Sequence, residues 1–130
     1  MRYTERHIQM INYHFSVPQV DRNYKDIDFL MRHLRYLKRH EPEVRKQIYK
    51  YSQFCVVPAQ TVIFNKGDEA DYMYIILKGR VSCLSTLSHY KDIEINLATV
   101  TDGEAFGELA LINSDRVIIN DSQDDKRHDI

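Results

Sequence analysis

GEAFGELALIN, Gly103 to Asn113, is the stretch on which the fold turns. Two of the chain's four glycines fall within it. The second glycine directly precedes Glu108, and the run Leu109-Ala110-Leu111-Ile112 follows at once. A glycine allows backbone to come close to a neighbouring group. A carboxylate is costly to enclose unless it meets a hydrogen-bond donor. The apolar run predicts a short helix docked on a core. Together these residues point to backbone amides and one carboxylate aimed at a small polar ligand.

Upstream, the chain reads as short strands. FCVV, TVIF, YMYIIL, RVSCLSTL and IEINLATV are apolar or alternating runs rich in β-formers, separated by PAQ, NKGDEAD, KG and SHYKD. Short strands joined by close turns predict an antiparallel roll or barrel. Arg116-Val-Ile-Ile119 begins one more strand.

Earlier still, the period changes. Ile27, Leu30, Met31, Leu34 and Leu37 fall at offsets 0, 3, 4, 7 and 10, the stripe of an amphipathic helix. Pro42 ends that helix and opens a second one, with Val44, Ile48 and Tyr51 as its inner side. Residues 1–23 show no sustained period and read as a flexible N-terminal segment, with Pro18 as a breaker. The predicted class is therefore α+β. A helical segment, 24–52, precedes a partial antiparallel β-roll, 53–119, of jelly-roll type, and a polar tail, 120–130, ends the chain.

A chain of 130 residues makes one ordinary domain. No apolar run reaches the roughly 18 residues of a membrane span. The start MRYTERHIQM has no apolar segment of the secretory kind. Cys55 and Cys83 sit in strand-like runs and read as reduced core residues of a cytoplasmic protein. Net charge is −1, unevenly spread: residues 1–60 hold 11 Lys/Arg against 6 Asp/Glu, and residues 61–130 hold 7 against 13. The basic first half reads as a solvated helix face rather than a nucleic-acid surface. The six histidines show no ligand spacing with carboxylates or thiolates, so no metal is expected. There is no nucleophile–base signature and no phosphate loop of the P-loop type. The chain does not read as an enzyme.

TVIFNKGDEADYMYIILKGRVSCL followed by GEAFGELALIN resembles the cyclic-nucleotide-binding domain family, which includes kinase regulatory subunits, catabolite-activator-type regulators and cyclic-nucleotide-gated channels. The resemblance covers roughly Phe54 to Arg116 and implies a phosphate-binding cassette at FGELAL. It implies the ligand set Phe106, Gly107, Glu108, Leu109, Ala110 and Arg116. Amides near Leu109 and Ala110 would meet the phosphate at a helix start. Gly107 would permit the approach, and Glu108 would accept from the ribose hydroxyl. Phe106 reads as core beneath that site. The ligand would be cAMP or cGMP, and no other cofactor is implied.

Two departures from the family stand out. Its phosphate-pairing arginine follows a proline and precedes small residues and a hydroxyl. Here Arg116 arrives one residue early, without the proline, beside Asp115 and before Val117-Ile118-Ile119. The missing hydroxyl favours cAMP over cGMP. After Val117-Ile118-Ile119 only the short polar tail 120–130 follows, so the closing strands and the helical lid are expected to be missing and the barrel incomplete. Two functions remain open: a regulatory module that couples cyclic-nucleotide binding to movement of the flanking helices, or a degenerate fold acting as a ligand-independent interaction module. In the second, a protein partner would complete the open barrel or dock on the basic helices.

Overall fold

The computed structural model describes residues 3–65, 68, 72–87, 90–107, 116–119 and 128–129. Among the described residues, four α-helices come first: α1 (Glu5–Ser16), α2 (Tyr24–Met31), α3 (Arg35–Lys38) and α4 (Pro42–Tyr51). Eight described strands follow: β1 (Val56–Val57), β2 (Val62–Asn65), β3 (Tyr74–Ile75), β4 (Arg80–Leu87), β5 (Tyr90–Thr101), β6 (Ala105–Phe106), β7 (Arg116–Ile119) and β8 (His128–Asp129). The α+β class and the antiparallel roll expected from the sequence are both present. All five of the strand-like runs contain a strand.

The helical part differs from its sequence pattern in three places. Residues 4–16 form a capped helix although they carry no clear period. Thr4 Oγ1 accepts from the His7 amide, and the Thr4 amide donates to His7 Nδ1, a reciprocal cap. Only Ile8 and Ile11 of α1 are buried, too short a stripe to read as periodicity. Next, the predicted long helix breaks into α2 and α3 at residues 32–34. The stripe survives the break, and Ile27, Met31, Leu34 and Leu37 are all buried.

Third, the inner face of α4 is only in part the one the sequence predicted: Ile48 packs against the helical core. Val44 and Tyr51 are exposed, and Tyr49 is buried instead. The reason is polar. Asp28 on α2 accepts from Arg45 Nε at 2.7 Å, Arg45 Nη2 at 3.1 Å and the Tyr49 hydroxyl at 2.7 Å. Arg45 and Tyr49 must therefore face α2. The Arg45 hydrogen bond, ahead of any opposing effect of burial, holds the Asp28 carboxyl below its usual range. Burial, then the hydrogen bond to Asp28, pushes the Tyr49 hydroxyl up.

Arg22 closes the other end of this bundle. Its guanidinium donates to the carbonyls of Phe15 and Val17 at the end of α1, and of Tyr49, Lys50 and Ser52 at the end of α4. Helix C-termini leave carbonyls without intrahelical partners, and one planar five-donor group satisfies those of two helices here.

The strands form three antiparallel sheets: β2-β7-β4-β5, β1-β8 and β3-β6. Among the described residues the sheets do not close into a continuous barrel. The end of the chain nonetheless contributes: Val56 and Val57 of β1 pair with Asp129 and His128 of β8. The sequence gives no warning of β8, because the polar tail lacks apolar alternation and the pairing is carried by backbone groups. Two buried clusters result. One joins the helices and reaches Leu77 in the roll, and the other fills the roll around Phe64, Ile76, Val81, Phe106, Val117 and Ile119. Cys83 lies in the second cluster, whereas Cys55 is exposed just ahead of the two-residue β1.

Candidate functional site

The turn that leads into the cassette is fixed from both sides. Thr101 accepts from the Glu104 amide at 3.1 Å. The Gly103 amide donates to the Ile76 carbonyl at 2.7 Å, and the Ile76 amide donates to the Glu104 carbonyl at 2.9 Å. The Gly103 carbonyl accepts from the Tyr36 amide at the start of α3, at 2.9 Å. The Tyr36 amide, in the first turn of α3 and without an intrahelical partner, is satisfied by this carbonyl. Glu104 adds charge to the contact, 3.3 Å from Arg39 and 3.8 Å from Arg35. Both arginines are well exposed, so this ion pairing is worth little by itself.

The two glycines of the opening stretch do different work. Gly103 has φ +85°, and a Cβ there would stand 3.2 Å from the Arg35 backbone nitrogen. The turn and the docked helix both demand glycine at this position. Gly107 carries no such demand. A Cβ on it would lie 3.6 Å from Met73, an ordinary contact. Among the described residues, nothing in the protein requires a glycine there.

Phe106 sits immediately before Gly107 and is buried. Its ring stacks on Tyr74 with centroids 5.1 Å apart and planes at 14°, and β3 pairs with β6 at these two residues. Phe64 meets both rings edge-on. Phe106 is thus part of an aromatic floor, as its sequence context suggested, and it fixes the height at which Gly107 leaves the sheet. Glu108, Leu109 and Ala110, and the short helix expected after them, lie outside the described residues.

Arg116 is not brought together with Phe106 and Gly107. In β7, Val117 and Ile119 are wholly buried and belong to the same cluster as Phe106. Arg116 pairs with Leu84, one residue out of step with the Cys83–Val117 pair. Side chains alternate along a strand, so Arg116 projects from the opposite face of the sheet. There its Nε donates to Glu94 Oε2 at 2.7 Å, and its Nη2 donates to Glu94 Oε1. The hydrogen bond to Glu94 raises the guanidinium's pKa further above its ordinary value. The early arrival of this arginine explains the outcome: a one-residue slip in a strand moves a side chain to the other face. Glu94 was not recognised from the sequence. It stands 22 residues away, and only the β5-β4-β7 order brings the two together.

The α3–Glu104 contact was also missed, because no spacing rule links Arg35 and Arg39 to a turn 65 residues on. Among the described residues no group of three or more His, Cys, Asp or Glu side chains could hold a metal ion, and no helix is long and apolar enough to cross a membrane.

Comparison with known proteins agrees with this geometry. Residues 54–119, just over half of the chain, match the family model of the cyclic nucleotide-binding domain. A stretch of 64 residues is 28% identical to the lysophospholipase NTE1 of Kluyveromyces lactis, covering 49% of this chain and 4% of that protein. The regulatory subunit of a cAMP-independent protein kinase A from Trypanosoma cruzi, solved bound to guanosine, superposes with a TM-score of 0.64 at 15% identity. That match covers 82% of this chain and 37% of the subunit. The regulatory domain of Toxoplasma gondii PKA, solved with cAMP, gives a TM-score of 0.63 at 19% identity over 82% of this chain and 40% of that one. At such identities the structural likeness concerns the fold. The chain spans only a small part of the curated relative and well under half of these solved chains.

Proposed function

The chain belongs to the cyclic nucleotide-binding domain family, and from that premise we propose that it is a regulatory module whose ligand is held at Phe106–Ala110. The observation that carries this reading is the contrast between its two glycines. Gly103 is required by the protein's own packing, whereas among the described residues nothing requires a glycine at 107. A glycine that the chain does not need for itself is accounted for by a ligand that approaches the backbone closely. In this reading amides at Leu109 and Ala110 carry the phosphate, Glu108 holds the ribose hydroxyl, and cAMP is preferred over cGMP.

The α3 contact supports coupling to the helices. The turn that feeds the site is hydrogen-bonded to α3, whose Leu37 belongs to the helical core. A ligand that repositions the cassette acts on α3 through Gly103 and Glu104. It can shift the helices only by its differential affinity for their two arrangements.

The test is a thermal melt of the 130-residue chain with cAMP or cGMP up to millimolar. A ligand that binds only the folded state stabilises it by RT ln(1 + [L]/Kd), about 2.7 kcal/mol at 100 Kd. An upward shift with cAMP that disappears in Glu108→Ala supports the site. No shift with either nucleotide removes the reading.

Arg116 favours a second reading. Its charge is engaged by Glu94 on the far face of the sheet and does not stand beside Gly107. A site without that cation selects weakly for a cyclic phosphate. It suits a neutral nucleoside, such as the guanosine seen in the Trypanosoma cruzi protein, or it has become a ligand-independent interaction module. Guanosine is therefore the third arm of the melt. A shift with guanosine and none with cAMP selects the nucleoside. No shift in any arm leaves the interaction module.

A further inference from the structure

We propose that the outer edge of β5, which has no ladder among the described residues, pairs with β5 of a second copy of this chain, antiparallel, about a two-fold axis through Ile95. Strand β5 is the longest in the molecule and stands at the edge of its four-stranded sheet. Among the described residues it has a ladder on one side only, to β4. Such an edge offers a row of amides and carbonyls to any extended chain.

Proteins usually guard an edge with lysine, proline or inward-pointing charge. From Ile93 to Thr101 β5 has no proline or lysine, and its single charged residue is Glu94. That carboxylate is bound to Arg116 and does not repel an approaching strand. Protective devices are present at the two ends of the row: Lys91 and Asp92, with a register shift, lie ahead of Ile93, and a bulge at Leu97 falls between the Cys83–Ala98 and Leu84–Asn96 pairs.

The row itself is apolar. Ile93, Ile95 and Leu97 are 46%, 39% and 47% exposed. Their order, I-x-I-x-L, is symmetric about Ile95. In the two-fold register Ile95 meets the partner's Ile95, and Ile93 meets the partner's Leu97. Glu94 meets the partner's Asn96, so no like charges face each other. Moving the axis to Glu94 sets two carboxylates opposite each other. Moving it to Asn96 sets Ile93 against the partner's Thr99. The pattern thus selects both the occupant and the register.

A single strand pairing lies at the small end of protein interfaces, and it predicts weak association. Sedimentation velocity on the 130-residue chain, from low to high micromolar, reads it directly. The expected result is an average mass that rises toward twice that of the monomer. Ile95→Lys puts two ammonium groups across the axis and weakens association by at least about tenfold. Because that variant can fail to fold, a second arm uses Ile93→Lys and Leu97→Glu. Each alone associates more weakly than the parent, and their mixture recovers association, since residue 93 of one copy faces residue 97 of the other. A parent chain that stays monomeric overturns the proposal. So does a folded Ile95→Lys variant that associates as the parent does, or a mixture that associates no better than its components.

Discussion

Arg116→Ala separates a structural arginine from a ligand-binding one. In the structure the guanidinium and the Glu94 carboxylate form a two-pronged pair, each side chain about one third exposed, at 35% and 33%. A pair that wet is worth about 0.5–1 kcal/mol, with the forked geometry favouring the upper end. The variant should therefore lose about that much stability in urea titration. Glu94→Ala should lose a similar amount, and the double variant little more, because one interaction is removed in all three. Ligand affinity is the decisive reading. If Arg116 stays on the far face, the Kd of whichever nucleotide or nucleoside raises the melt changes by less than about twofold. An arginine bonded to phosphate contributes about 1.5–3 kcal/mol, so its loss would weaken binding by about 10- to 150-fold. Isothermal titration with parent and variant distinguishes these outcomes. A tenfold or greater loss of cAMP affinity in Arg116→Ala, with the fold intact, would refute the placement of this side chain.

Three further outcomes follow from the helical part and its contact with the roll. Asp28→Asn should cost about 2 kcal/mol at neutral pH, since it leaves Arg45 without its anion. The folded Asp28 pKa is lowered, so its contribution is present above the unfolded value near 4 and lost as pH falls through the folded one. Denaturation at a series of pH values should show the gap between parent and variant closing on the acid side, and a constant gap would contradict this. Gly103→Ala should cost about 1–2 kcal/mol for the left-handed backbone alone, while Gly107→Ala in the unliganded chain should cost well under 1 kcal/mol. Parallel thermal melts compare the two, and equal losses would undo the contrast between them. Arg22→Lys should destabilise by about 2 kcal/mol, because an ammonium cannot reach carbonyls on both sides of the bundle. Amide exchange should then rise first at the ends of α1 and α4.

Much of the fold was legible because it rests on local pattern. The five β-rich runs and the Ile27–Leu37 stripe are set by periods of two and near four, which the sequence carries openly. The features that were not legible are polar or distant. Tyr49 replaced Val44 and Tyr51 on the inner face of α4 because Asp28 recruits Arg45 and Tyr49, and a half-buried polar network runs against an apolar stripe. The break between α2 and α3 lies beside the Tyr36–Gly103 hydrogen bond, a distant contact that no residue near the break announces. At the site, the core position of Phe106 was legible, whereas Gly103, grouped with Gly107 in the sequence reading, serves the turn against α3. The direction of Arg116 depended on a register that only the paired strands define.

The pairing of β1 with β8 has a consequence for the order in which the molecule assembles. Val56 waits for Asp129, and Val62 waits for Ile118, so each pairing closes a long loop before it gains a contact. The helices, by contrast, contain most of their own core within the first fifty or so residues. During synthesis the bundle can therefore form while the roll is still half made. The β4–β5 hairpin can follow, but the β4 side that later receives β7 stays open until Arg116–Ile119 emerges. This is the stretch of time in which the nascent chain is most exposed to pairing with the wrong strand, and slow, non-local closure sets its length.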